Sequence, residues 1–441
     1  MGVAKSGLRR QVVALEIEGS NPSAHPKVLH YNGLILQSLW LRFARRHTET
    51  RIMDHAAPTT SYPENLKSLA IVQPGDWNGN GMILEVTPLS GKSLWAIGVP
   101  QPYQTTTGPT WVYVIDMEGL TLIDAGGHTS HEAIKPALTQ LGLSLSNMER
   151  VIITHGHSDH DGGVGGLVEA SGGEVWAHEL YSQIVTQGSW RSHAGVNSLL
   201  AKLMPWSTEN PYHHHQQADE IPPWWQNHLD YLEMRRHLKV SRNLKGGDRW
   251  SDLTFLHTPG HSPDELSIIM GGVVFTGDHV LPEITPHPTV DSVYPEEVPE
   301  TIRNMYPSEE QYGLEVYLRS LRTVAHLDPS VLVLPAHRLY NRGKFHINTV
   351  SRASDIAQHH VRRCTRIARK LKDQNMTLDE LTRATFPARK LTGGNFMSAV
   401  TEVTSHLEIM LKTGDVEIIS DMKIQWLGTD KYRRHIASIG R

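Results

Sequence analysis

Cysteine is all but missing from this chain: Cys364 stands alone among 441 residues, which excludes an intrachain disulfide and any cysteine-built zinc module. A metal centre here has to be made of nitrogen and oxygen. Long apolar runs are missing too, and no stretch approaches the roughly 18 residues that suggest a membrane span. The nearest thing to a secretory signal, Leu34 to Ala44, is broken by Gln37, Ser38 and Arg42 and starts too late after Lys5, Arg9 and Arg10. Nor is there a surplus of positive charge. A formal net charge of −4 and a pI near 6.7 leave no global field to hold nucleic acid or an anionic membrane. These absences point to a cytoplasmic protein with no membrane partner. They disfavour nucleic acid and are compatible with a homodimer.

The chain does have size and histidine. Its length allows two domains, 39% hydrophobic residues suffice for a core, and 27 histidines exceed what packing needs. Residues 1–52 show no period and no motif. Their Gly19-Ser20-Asn21-Pro22 is what translation of GGTTCGAATCC, the usual T-arm sequence of a transfer RNA gene, produces. This predicts a disordered or spurious leader, with Met53 as the true initiator. Mass spectrometry of the native protein tests it, and a peptide ending before residue 50 would defeat it.

From about residue 80, short β-rich runs alternate with helical ones. Val112–Ile115 and Leu120–Ile123 flank Met117-Glu118-Gly119 and read as a hairpin. Ile134, Leu138 and Leu141 have helical spacing, the run from Arg150 to Ile153 reads as a strand, and Val164 to Ala170 reads as a helix. Further strands are expected at 174–177, 253–257, 266–270, 273–276 and 331–334. Residues 188–250 read as an insertion, punctuated by Trp190, Trp206, Trp224, Trp225 and Trp250. The tryptophans of residues 190–225 are either a lid or ordinary core. Tyr212-His213-His214-His215 reads as a solvated loop. Ser308-Glu309-Glu310-Gln311 and Thr377-Leu378-Asp379-Glu380 read as capping boxes. The final ninety residues read as three helices and a hairpin. One helix carries Arg362, Arg363, Arg366, Arg369, Lys370 and Lys372, which most simply form a solvated face; a grip on coenzyme A phosphates and an RNA contact are its rivals.

The densest chemistry is THGHSDHDGG, Thr154 to Gly163. His155 and His157 are two apart after a strand, so on extended backbone both imidazoles face one way and can meet one ion. Asp159 and His160 follow where a turn can aim them at a second. One ion needs about four ligands, so this cluster needs help. It comes from His261 in Thr258-Pro259-Gly260-His261, Asp278 in Phe275-Thr276-Gly277-Asp278 and His337 in Leu334-Pro335-Ala336-His337, each at a strand end. Layered folds gather polar groups on such loops.

The order HxHxDH, GH, GD and final H resembles the metallo-β-lactamase superfamily of binuclear hydrolases, in its glyoxalase II-like and lactonase-like branch, from about residue 80 to 340. The resemblance implies an αββα sandwich for residues 53–350, with residues 351–441 as a small helical, winged-helix-like domain. It implies that His155, His157 and His261 hold a first metal and Asp159, His160 and His337 a second, with Asp278 bridging and Asp124 structural. It further implies two divalent ions, zinc first and iron or manganese next. A metal-bound hydroxide would cleave a small ester, thioester or lactone, with Asp159 and Asp278 as the catalytic carboxylates. Asp264, in His261-Ser262-Pro263-Asp264, departs from relatives that often have glycine there, and is expected to alter the loop beside the substrate. The C-terminal part is similar to that of a bacterial subgroup described only as hydrolases and of a ribonuclease-like group. Other functions compatible with this scaffold are a phosphodiesterase or ribonuclease, an iron-dependent oxidoreductase and a non-catalytic ligand sensor.

Overall fold

The computed structural model describes residues 65–439, apart from 90, 102–106, 184–197, 205–222, 295, 297 and 392–394 and the side chains of 223–225. The expected leader, Trp190, Trp206 and the His213–His215 run fall outside the described residues, as do the side chains of Trp224 and Trp225. The apolar runs found in the sequence become the inner strands of two sheets. The first sheet keeps chain order: β1 Leu66–Gln73, β2 Ile83–Pro88, β3 Leu94–Val99, β4 Thr110–Asp116, β5 Leu120–Ile123, β6 Met148–Ile152, β7 Glu174–His178 and β8 Arg242–Leu244. Strands β1 to β5 pair antiparallel, and β5 to β8 pair parallel. Helices His131–Gln140 and Val164–Ser171 fill two of the parallel crossovers.

The second sheet uses β9 Arg249–Trp250, β10 Leu253–His257, β11 Leu266–Met270, β12 Val273–Phe275, β13 Leu332–Leu334 and β16 Asn348–Thr349, in the order β16-β13-β12-β11-β10-β9, while β14 Tyr340–Asn341 and β15 Lys344–Phe345 pair with each other between β13 and β16 in the chain. Between the sheets lie Leu84, Trp111, Tyr113, Phe255, Ile268 and Phe275. On the outer face of the first sheet, Ile134, Leu138, Val164 and Leu167 meet Val112, Leu122 and Val151. On the outer face of the second, Val274 and Val333 meet Leu318 and Leu321 from helix Leu314–Ala325 and Ile356 and Ile367 from helix Ser351–Leu371. This is helix, sheet, sheet, helix. Strand β4 is apolar at consecutive positions because it is buried on both faces.

The C-terminal region consists of helices Ser351–Leu371, Leu378–Thr385, Asn395–Lys412 and Lys431–Ile439, with β17 Val416–Ile418 pairing with β18 Ile424–Trp426 as a hairpin. Thr377 and Glu380 form the expected capping box. Ser308 does not. Residues Ser308–Glu310 form a 3-10 turn with no side-chain cap, and the next helix starts at Leu314 after Gly313, whose φ of 97° breaks the chain direction. The basic helix is only partly a solvated face. Arg363 is buried, with its Nε 2.8 Å from Glu402 Oε1. The end of the span read as an insertion supplies β8 and β9. Trp250 packs edge-on against Trp176, at 4.8 Å between ring centroids, under the Arg150 guanidinium.

Candidate metal centre

The parallel strands of the first sheet and the neighbouring strands of the second end at a common edge, and the motif residues collect there. His155 follows the end of β6, and Asp159 and His160 sit on the short helix Ser158–Asp161, entered through His157 in extended backbone. Tight packing fixes this loop. A Cβ on Gly163 would lie 2.2 Å from the carbonyl oxygen of Ala125, and Gly260, with φ of 123°, would press one to within 2.4 Å of the Tyr317 backbone. No other residue fits either place.

All seven expected ligands converge. His155 Nε2 and His157 Nδ1 are 2.9 Å apart, and His261 Nε2 lies 3.1 Å from the same His157 Nδ1. His337 Nε2 is 3.2 Å from Asp159 Oδ2, and His160 Nε2 is 3.9 Å from Asp159 Oδ1. Asp278 stands between the two groups: its Oδ2 is 3.6 Å from His261 Nε2, while its Oδ1 is 3.4 Å from His337 Nε2 and 3.6 Å from His160 Nε2. Three sets satisfy the reach of one ion each: His155, His157 and His261; Asp159, His160 and His337; and His155, His160 and Asp278.

The imidazoles are aimed from behind. His160 Nδ1 donates to Asp124 Oδ2 at 2.9 Å, His337 Nδ1 to the Pro109 carbonyl at 2.9 Å and His261 Nδ1 to the His287 carbonyl at 3.0 Å. Each acceptor fixes the proton on Nδ1, so the Nε2 lone pair points into the cluster. Asp124, at φ of 62°, also accepts from the Thr154 amide at 2.8 Å, tying the ends of β5 and β6 together as a structural aspartate. The donor set fits a divalent cation. His160 Nε2, His337 Nε2 and Asp278 Oδ1 are buried without a hydrogen-bond partner, yet they face one another, as ligands of a shared ion would.

Electrostatics repeat the pattern. Burial would depress His160 and His337, but the surrounding aspartates outweigh it and raise both. Burial raises Asp278 against the pull of His337 and His160. For Asp159 burial acts upward too, but His160 and His337 prevail and hold the carboxyl well below its usual range. His155 is depressed by burial and by the imidazoles around it.

Two residues of the site, Glu265 and Gln101, escaped the reading of the sequence. Glu265, fully buried, accepts from the Asp278 amide at 3.1 Å and lies 3.5 Å from His155 Nδ1. Its place at the mouth of the apolar β11, four residues past His261, was a usable signal. Gln101 Nε2 donates to Asp159 Oδ2 at 3.1 Å; nothing in its surroundings marks it. Asp264 is buried and accepts from Ser262 Oγ. It lies in the packing beneath the loop and not on an open substrate face, and burial raises its carboxyl to about 6.

Comparison with known proteins matches this arrangement. The family model of the Metallo-beta-lactamase superfamily matches residues 105–337, more than half of the chain. The chain belongs to the metallo-beta-lactamase superfamily. It is 26% identical over 253 residues to the Probable metallo-hydrolase YqjP of Bacillus subtilis (strain 168), covering 55% of this chain and 70% of that one. Among solved structures, a metallo-beta-lactamase family protein from Thermus thermophilus superposes with a TM-score of 0.53 at 21% identity, over 76% of this chain and 98% of that one. A beta-lactamase domain protein from Burkholderia ambifaria gives 0.54 at 21%, over 79% and 95%. These two share the superfamily fold, and among the described residues no helix is long and apolar enough to cross a membrane.

Proposed function

We propose that this metallo-beta-lactamase superfamily protein is a hydrolase that cleaves a small ester, thioester or lactone at a two-ion centre, zinc being the first choice of metal. The observation that carries the reading is Asp278, whose two carboxylate oxygens face two separate histidine groups. The name of the Bacillus subtilis relative supports metal-dependent hydrolysis, and the single buried cysteine suits a cytoplasmic setting. The glyoxalase II-like assignment and a boundary near residue 350 between catalytic and helical parts belong to the same proposal.

His155, His157 and His261 would hold one ion and Asp159, His160 and His337 the other, with Asp278 between them. When bound, two such ions bring the pKa of a water to about 7 and polarise the substrate's carbonyl oxygen. The chain's own residues do the rest. Asp124 and the carbonyls of Pro109 and His287 hold His160, His337 and His261 in one tautomer and orientation, and Glu265 stands behind His155, which lowers the reorganisation that binding requires. Asp159 is the more open of the two carboxylates, 30% exposed against 13% for Asp278. With Oδ2 accepting from Gln101, it would have Oδ1 left to accept a proton of the attacking water and set its direction. Asp278 supplies negative charge between the two groups. On the basic helix Arg352 donates to the Leu281 and Ile284 carbonyls and Arg363 faces Glu402, while Arg362, Arg366, Arg369, Lys370 and Lys372 stay exposed; the near-neutral pI is what weighs against a nuclease.

The test is a substrate screen across thioesters, lactones, β-lactams and phosphodiesters, run beside elemental analysis of the purified protein. Turnover of a thioester or lactone that disappears in His157→Ala supports the reading. Turnover of phosphodiesters alone would replace it with the nuclease, and iron with no hydrolysis would replace it with an oxidoreductase.

A further inference from the structure

Helix Pro223–His237 sends one charged side chain inward. Arg235 is 1% exposed and lies against the loop that carries four of the seven ligands. Its Nε is 3.1 Å from Asp161 Oδ2, and its Nη2 donates to the Gly156 carbonyl oxygen. Asp161 is itself fully buried and accepts from the hydroxyls of Tyr181 and Tyr231, each at 2.8 Å. The same two rings flank the guanidinium, with centroids 5.6 and 5.5 Å from Cζ. Asp264, three residues past His261, lies within electrostatic reach of it as well.

A buried arginine and carboxylate are a weak way to stabilise a fold, because losing water offsets their attraction. The position of the pair suggests another role. Gly156 separates His155 from His157, and Asp161 follows His160 directly, so one rigid guanidinium fork spans the loop from its first ligands to its last. Resting on the two-ion reading, we propose that Arg235 is a positioning residue, a brace that sets the spacing between the two ligand groups and makes metal affinity depend on the helix Pro223–His237. It touches neither ion nor substrate. It acts by holding the Gly156 carbonyl and the Asp161 carboxylate a fixed distance apart, which fixes the directions of His155, His157 and His160.

The experiment is a titration of chelator-stripped full-length protein with Co2+, following visible absorption and bound ions, for wild type, Arg235→Met, Arg235→Lys and Tyr231→Phe. Loss of an outer partner of metal ligands typically costs 10–100-fold in affinity. Arg235→Met is therefore expected to weaken cobalt binding about 10-fold or more and to alter the absorption bands. Arg235→Lys, which can reach Asp161 or Gly156 but not both, recovers only part. Tyr231→Phe, which deletes one hydrogen bond to Asp161, gives a smaller loss in the same direction and carries the test if Arg235→Met does not fold. A merely structural arginine would lower the melting temperature of the metal-free protein and leave the affinity and spectrum of the folded protein unchanged; that result overturns the proposal. Wild type that binds no cobalt overturns the two-ion centre and the brace together, whereas wild type and Arg235→Met that bind two ions equally well overturn the brace alone.

Discussion

Among the described residues, the histidine cluster at the sheet edge is built like a site, whereas the buried histidine pair of the C-terminal helices is not. At the sheet edge, each imidazole of His160, His261 and His337 donates Nδ1–H outward and turns Nε2 toward Asp278. In the C-terminal helices, His360 and His406 are equally buried, but their rings face each other, with His360 Nδ1 3.0 Å from His406 Nε2. His406 Nδ1 is occupied by the Glu402 carbonyl, and the Glu402 carboxylate is paired with Arg363. Neither the number nor the burial of histidines separates the clusters. What separates them is what the inward ring nitrogens face: the carboxylate of Asp278 at the sheet edge, but only each other's ring in the helical cluster.

The sharpest way to break this contrast is to remove the shared carboxylate. Asp278→Asn is expected to lower kcat/KM by about 10^3-fold, and His157→Ala to abolish turnover, because each removes charge or a ligand that acts on the transition state. Circular dichroism of both variants should report an intact fold. His406→Gln in the other cluster should leave turnover unchanged. The second cut is at the rear of the site. Glu265→Gln keeps the shape but weakens the acceptor behind His155, and elemental analysis after dialysis should show metal affinity down about 10–100-fold.

The third prediction concerns pH and singles out the helical cluster. Burial depresses His360, and lowers His406 to about 3 from its ordinary 6.5. A depressed folded-state pKa means that stability is present above pH 6.5 and is lost as pH falls, since the unfolded chain takes up protons that the folded one refuses. The loss runs from pH 6.5 toward 3 at no more than about 1.4 kcal/mol per pH unit per histidine. Denaturant midpoints measured across that window should fall, and His406→Leu should flatten the curve. The smallest effect is expected at His360→Gln at pH 8, a loss of about 1 kcal/mol, as for one buried hydrogen bond, with no change in metal content.

The same contrast explains what could be read beforehand. The seven sheet-edge residues were legible because each follows an apolar strand on a short turn, a local pattern that survives in one dimension. So were the strands themselves, being fully apolar or alternating, and the Thr377 capping box. Residues that act from behind were not. Arg235 sits in a polar helix whose neighbours Arg236 and His237 are exposed, and only tertiary packing turns one of the three inward. Asp161 stands within the THGHSDHDGG stretch but points away from the ligand groups, toward Tyr181 and Tyr231. The Ser308 box failed because Gly313 interrupts the helix that it was expected to open. Arg363 was misplaced on a solvated face because charge alone does not reveal that Glu402, on another helix, is waiting for it.

Anomalous diffraction from crystals of the protein reconstituted with zinc tests the central claim most directly. The account expects two peaks beside Asp278, one among His155, His157 and His261 and the other among Asp159, His160 and His337. No peak within ligand reach of Asp278, or zinc bound only elsewhere, would contradict it.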